Sequence, residues 1–259
     1  MTAKSSDFAY FSPTGTHVFA HRGFASDSAP ENTLAAFERA LEVGATHIET
    51  DIQATSDGVA VVFHDDDLER VAGIVGRVDG ITFEQLQDVR IGGQHIPTLL
   101  EALQRFPQAR FNIDVKRANA IAPTVEAILN AKAADRVLVS SFSGSRRKKA
   151  LRMLAERGAK VPTSADAALM LSLYLAARIG VFAAFARLSR NIHALQLPEA
   201  FAGLKLTHPR LIAFAKRAGL QVDYWVINEP TRMKQLVKLG ADGIVTDVAD
   251  VAAQALHGR

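Results

Sequence analysis

Side chains capable of chemistry cluster at four places in this sequence: His21-Arg22-Gly23, Glu49-x-Asp51, His64-Asp65 and Asp114-x-Lys116. Apolar runs lead into both histidines, Val18-Phe19-Ala20 before His21 and Val61-Val62-Phe63 before His64. Residues two apart on a strand share a face, so Glu49 projects with Asp51, and Asp114 with Lys116. Three carboxylates converging on one rim repel one another unless a cation stands among them. All-oxygen donors suit Mg²⁺ or Ca²⁺, whereas zinc favours His or Cys. An ion pair with Lys116 or Arg22 is the other reading of Glu49 and Asp51. Asp114 on the adjacent strand favours a single divalent cation held by all three acids. His21 and His64 are then a candidate acid–base pair, because imidazole titrates where proton transfer needs it. Taken singly, each is also explained as a strand-end histidine satisfied by hydrogen bonds. Arg22 supplies a planar fork that matches a phosphate. Trp225, the only tryptophan, lies near a strand end, as core or as a wall of the substrate site. His17, His47, His95, His193, His208 and His257 join no such constellation.

Short β-rich runs alternating with helical patterns must position these groups. Strands are expected at His17–His21, His47–Ile52, Arg110–Lys116, Val137–Phe142, Lys160–Thr163, Ala194–Leu197, Gln221–Ile227 and Gly243–Thr246. Helices are expected near Glu31–Val43, Thr98–Phe106, Ile121–Ala133, Ser145–Arg157, Asp166–Leu188, Pro209–Ala218, Pro230–Leu239 and Val248–Leu256. Eight such units in 259 residues predict an α/β fold, a (β/α)8 TIM barrel. A doubly wound open sheet is the runner-up, but no Gly-x-Gly-x-x-Gly opens a helix. In a barrel the C-terminal strand ends carry the site, and the four clusters, with Asn228 and Asp247, fall there. Val59–His64 breaks the alternation. The Asp57-Gly58 turn makes it an antiparallel return of the second strand, and residues 65–97 then form a small inserted subdomain.

Composition narrows the partners. Hydrophobic residues make up 48% and charged residues 22%, enough apolar material for a sizeable core. The absence of cysteine excludes disulfides, thiolate ligands and a cysteine nucleophile. A net charge of +3 and one basic run, Arg146-Arg147-Lys148-Lys149, without interleaved aromatics argue against nucleic acid. No secretory-type apolar run opens the chain, and Arg178 interrupts the most apolar stretch, Ala167–Ala186. A soluble, cytoplasmic protein without a membrane span is expected. That stretch should be a barrel helix whose apolar excess packs in the core in preference to touching lipid.

The ordered series His21-Arg22-Gly23, Ala29-Pro30-Glu31-Asn32-Thr33-Leu34, Glu49-Thr50-Asp51, Val61-Val62-Phe63-His64-Asp65, Ile96-Pro97-Thr98-Leu99, Asn112-Ile113-Asp114-Val115-Lys116, Trp225-x-x-Asn228 and Gly243-Ile244-Val245-Thr246-Asp247 resembles the glycerophosphodiester phosphodiesterase family. These are phosphatidylinositol-phospholipase-C-like TIM-barrel enzymes, and the series runs through nearly the whole chain. The resemblance implies a single barrel domain over residues 1–259, with His21 and His64 as the acid–base pair. It implies Glu49, Asp51 and Asp114 as ligands of one Mg²⁺ or Ca²⁺, with Arg22 and Lys116 on the phosphate. The implied reaction is hydrolysis of a glycerophosphodiester to an alcohol and glycerol 3-phosphate. A lysophospholipase D with transient lipid contact and a non-catalytic phosphoester-binding barrel are the alternatives. Three positions depart from the family pattern: Asp114 replaces the usual Glu, Val226-Ile227 follows Trp225, and Val248-Ala249 follows Asp247.

Overall fold

The structure is a computed structural model that describes residues 4–12 and 15–258. Seven strands lie parallel in one sheet: β1 (His17–His21), β2 (His47–Ala54), β4 (Arg110–Val115), β5 (Val137–Ser140), β6 (Ala194–Leu197), β7 (Gln221–Tyr224) and β8 (Gly243–Thr246). They run in the order β5-β4-β2-β1-β8-β7-β6, and β3 (Ala60–Val62) pairs antiparallel with β2. Helices cover the outside, where the strands are apolar, and the inside is filled partly by buried polar side chains, among them His17, His47, Asp51, Asn112, Asp114, Gln221 and Asp223.

The two edges of this curled sheet meet across residues 161–165. Thr163 bridges Val139 of β5, and Ser164 bridges Ala194 of β6, both in parallel sense. Val139 N donates to Pro162 O (3.1 Å), and Ala165 N donates to Ala194 O (3.1 Å). The segment occupies the place of the strand expected at Lys160–Thr163, but as single bridges in place of a ladder. Pro162 has no N–H to give, which is one reason the pairing stays so short.

Packing divides the core by barrel half. Phe37, Ile48, Leu103, Phe111 and Val139 lie in one buried cluster, and Leu173, Phe185, Leu195, Leu211 and Ile244 lie in the other. The 3-10 turn Ala9–Phe11 lays Tyr10, with no exposed surface, against Phe19, Leu138 and Val245. His17 and His47 belong to this part of the barrel, their rings 4.6 Å apart. Burial, with the His17 charge, pushes the His47 pKa well down, so this imidazole is a neutral packing group. The insertion after the second barrel strand has its own apolar cluster, including Phe63, Leu68, Leu86 and Ile96.

The apolar stretch folds as two helices, Ala167–Ile179 and Phe182–Leu188, and not as one. Gly180 separates them at φ +83°, a left-handed conformation that glycine adopts without a Cβ clash. Asp166 caps the first by accepting from Leu169 N (3.1 Å), and its other oxygen accepts from Arg147 Nη2 (3.0 Å). Arg147, from the run Arg146-Arg147-Lys148-Lys149, is thus buried and paired. Asp166→Ala removes the cap and leaves that guanidinium uncompensated, and should cost about 3–5 kcal/mol in urea unfolding. Asp166→Asn keeps the capping oxygen but removes the charge, and should fall between the two.

Candidate active site

Gly23 lets the first strand end meet the first helix. Its φ is +87°, and a Cβ there would sit 2.8 Å from the Ala36 backbone carbon. The chain turns back through Pro30–Asn32, and Thr33 caps the helix Leu34–Glu42 by accepting from Ala36 N (3.2 Å). The helix therefore starts three residues later than expected. Glu31 and Asn32 are released from helix duty and serve the site. Asn32, at φ +58°, donates from Nδ2 to Asp51 Oδ2 (3.1 Å) and accepts from Thr50 Oγ1 (2.8 Å).

One cavity of about 190 Å³ brings together His21, Arg22, Glu49, Asp51, His64, Asp114, Lys116 and Trp225, all eight of the predicted site residues. Register explains the acids: Asp51 pairs with Asp114 across β2 and β4, and Glu49 with Asn112. The β2–β3 hairpin brings His64 into the same cavity. Lys116 Nζ stands between Asp51 Oδ1 (2.7 Å) and Asp114 Oδ2 (2.8 Å), and Arg22 Nε lies 3.2 Å from Asp51 Oδ2. The ion pairs weighed as an alternative to a cation site are therefore present for Asp51, but not for Glu49.

The electrostatics follow from burial. Glu49 has no such cation beside it; burial, reinforced by the Asp51 charge, pushes its pKa up to about 8. Burial also raises the Asp114 pKa. For Asp51 burial acts the same way, but the charges of Lys116 and Arg22 outweigh it and hold the carboxyl below its usual range. Lys116 is held charged by Asp114 and Asp51 against the opposing effect of burial.

Each imidazole is held by an acid. His21 Nδ1 lies 2.7 Å from Asp247 Oδ1, and its Nε2 lies 3.9 Å from Glu49 Oε2. Asn228 fixes Asp247 in turn, donating from Nδ2 to Oδ2 (2.8 Å). Burial opposes the His21 imidazolium, but the Asp247 hydrogen bond and the Glu49 charge prevail and raise the pKa. His64 Nδ1 lies 2.5 Å from Asp65 Oδ1, and Arg70 ties Asp65 to Glu31, which also accepts from Arg22 Nη1 (3.0 Å). The two histidine ends of the cavity are thus connected by a chain of charges. Met170, Pro198, Phe201 and Trp225 form the apolar wall, with the Phe142 ring edge-on to Trp225 at 6.1 Å.

Sequence reasoning placed Asp247 and Asn228 at the rim without giving them a task. Asn32 and Glu31 stood inside a motif that reads as a plain helix start, and Asn112 carried no signal beyond its place two residues before Asp114. The donor set suits a hard divalent cation. Asp51 and Asp114 are buried oxygen donors, Glu49 is a partly buried one, and Asn112 Oδ1, on the same cavity, is buried without a hydrogen-bond partner. Among the described residues no three acids or histidines stand as a ready-made cluster, and Lys116 takes up oxygens of two of the acids. A cation would compete with Lys116 for these oxygens.

A barrel mouth with buried acids, two acid-backed imidazoles and two cations belongs to phosphoester chemistry. Residues 21–251 match the model of the glycerophosphoryl diester phosphodiesterase family. A Mycobacterium tuberculosis relative named probable glycerophosphodiester phosphodiesterase 2 is 40% identical over 246 residues, 95% of this chain and 92% of that protein. A glycerophosphodiester phosphodiesterase from Caldanaerobacter subterraneus is 31% identical, over 90% of this chain and 94% of its own. An Oleispira antarctica phosphodiesterase, solved with the product sn-glycerol-3-phosphate, is 26% identical with a TM-score of 0.74, covering 93% of this chain and 96% of its own. The chain belongs to the glycerophosphoryl diester phosphodiesterase family.

Asp247 raises the His21 pKa, so Asp247→Asn should move the acid limb of the kcat/KM profile to lower pH. It should also lower kcat on the order of 10²-fold, the lower end for an acid–base group. A pH–rate profile with an unmoved acid limb would separate Asp247 from His21.

Proposed function

We propose that this enzyme hydrolyses glycerophosphodiesters to an alcohol and glycerol 3-phosphate, with His21 and His64 as proton carriers and one Mg²⁺ or Ca²⁺ as cofactor. The carrying observation is the gathering of two imidazoles, three acids, Arg22 and Lys116 on one small cavity. Its volume is below the roughly 300–1,000 Å³ of sites for drug-sized ligands, which suits a compact phosphodiester. The Oleispira antarctica enzyme, with sn-glycerol-3-phosphate as its product, supports the same reaction.

Glu49, Asp51 and Asp114 would hold the cation. When bound it would polarise a phosphoryl oxygen and lower the pKa of a nearby hydroxyl. The substrate brings its own nucleophile, the glycerol 2-hydroxyl, whose attack on phosphorus closes a five-membered ring and gains the advantage of an intramolecular reaction. His21 accepts the hydroxyl proton at Nε2, since Nδ1 faces Asp247, whose charge stabilises the imidazolium that forms. The bond from phosphorus to the departing alcohol breaks as His64 protonates its oxygen. The two then exchange roles while water opens the cyclic phosphate to glycerol 3-phosphate. Arg22 and Lys116, held in place by Asp51 and Asp114, balance the phosphate charge. Trp225 and Phe142 form an apolar wall for the alcohol. That wall also favours a second reading, a lysophospholipase D acting on a lipid diester with the same polar groups.

A panel of glycerophosphodiesters and lysophospholipids, assayed with products identified by mass, tests both readings. Turnover of glycerophosphocholine to choline and glycerol 3-phosphate is expected, and activity confined to lysophosphatidylcholine would select the second reading. His21→Ala and His64→Ala should each lower kcat by roughly 10²–10⁴-fold. Chelation should abolish turnover and Mg²⁺ or Ca²⁺ should restore it; full activity after exhaustive chelation would remove the cation from the proposal.

A further inference from the structure

A barrel helix buries one face on the sheet and ordinarily presents a polar face to water. The helix Ala167–Ile179 buries Met170, Leu173, Tyr174, Ala176 and Ala177, yet its outer face is apolar too. Leu171, Leu175 and Ile179 recur every four residues along it, exposed by 37%, 52% and 74%. Val181 and Leu188 carry the exposed apolar surface into the next helix. Ten large apolar side chains are exposed among the described residues, and these are five of them. The expectation of core packing thus holds for one face of this helix and fails for the other.

The segment that carries the ridge is basic. From Ala167 to Val222 the chain has seven Lys or Arg and a single acid, Glu199, although the whole protein is only +3. The remainder is therefore net acidic, and among the described residues only Lys216 of the segment's seven cations is paired to an acid, Asp242. Arg178, Arg187 and Arg190 are exposed on or beside the two helices, and Arg210 reaches across to donate to the Arg178 carbonyl (3.1 Å). The guanidinium of Arg217 lies 3.8 Å over the Phe182 ring. Such a face disfavours a second copy of itself, because a two-fold contact would set basic side chains against basic side chains. It matches a surface that is apolar beneath and anionic above. The ridge also adjoins the site: Ala167 and Met170, at the start of the same helix, line the cavity, as does the exposed Phe201.

We propose that the helix pair Ala167–Leu188 docks this protein on an anionic phospholipid bilayer, with Leu171, Leu175, Ile179 and Val181 entering the interface and the surrounding arginines on lipid phosphates. Among the described residues no helix is long and apolar enough to cross a membrane, so the attachment is peripheral and reversible. It depends on both contributions, apolar burial and attraction to anionic lipid, and so weakens with salt. The proposal does not rest on the reaction assigned above, since binding is read without turnover.

Vesicle sedimentation tests it with the full chain. The wild type should pellet with phosphatidylcholine vesicles containing phosphatidylglycerol and stay in solution with phosphatidylcholine alone. Leu175→Gln with Ile179→Gln should lower partitioning at least about tenfold, as loss of interfacial apolar area predicts, while thermal unfolding and glycerophosphocholine turnover stay unchanged. Arg178→Gln with Arg187→Gln should also lower it and flatten its salt dependence. Wild type that ignores anionic vesicles, or a Leu175/Ile179 double variant that binds them as well as wild type, would overturn the proposal. So would a dimer, seen by light scattering, that the Leu175/Ile179 double variant dissociates, since the ridge would then be a self-association face.

Discussion

Asp51 is 2% exposed, and its carboxylate ties three separate pieces of the chain together. Lys116 reaches it from the end of β4, Arg22 from the exit of β1, and Asn32 from the turn that precedes the first helix. A buried carboxylate persists only where charge and hydrogen bonds replace the water it has lost. Asp51 therefore requires that these three pieces stay in register, and in doing so it fixes the rim on which the rest of the site stands. Thr50, hydrogen-bonded to Asn32 Oδ1, stiffens the same connection from the neighbouring position on β2.

Once Asp51 is satisfied, its neighbours are left short of positive charge. Glu49 shares the strand and the cavity but has neither Lys116 nor Arg22 within ion-pair reach, and its pKa rises to about 8. Asp114 is raised as well, although Lys116 touches it. This imbalance is the physical basis for proposing a divalent cation here, and it makes Lys116 the group such a cation would compete with. The same imbalance bears on His21, whose imidazolium is favoured by Asp247 on one side and by Glu49 on the other.

The barrel was legible because its signals are local and repeated: apolar strands ending in charged residues, alternating with helical patterns. That the eight predicted site residues share one cavity was legible because strand periodicity and the strand-end rule act together, putting Glu49 with Asp51 and Asp114 with Lys116. What stayed hidden was long-range or non-repetitive. The pairing of Asp247 with His21 joins residues 226 positions apart. Asn32 was obscured because Pro30-Glu31-Asn32-Thr33 is a sound helix start by composition, while tertiary demand holds Asn32 at positive φ and moves the cap to Thr33. The strand expected at Lys160–Thr163 is reduced to single bridges, and the apolar stretch around Arg178 is split at Gly180 and half exposed. Composition alone could not assign faces within it.

Calorimetric titration of a divalent cation into the wild type and into Glu49→Gln measures the central assignment most directly. Glu49→Gln keeps the size of the side chain and removes the ionisable oxygen pair with the greatest unmet charge. One equivalent of Mg²⁺ or Ca²⁺ should bind the wild type, and Glu49→Gln should weaken that binding by about tenfold or more, with the fold intact by circular dichroism. Equal affinity in the two proteins, or no binding to either, would contradict the account and leave the three acids as partners of Lys116 and Arg22 alone.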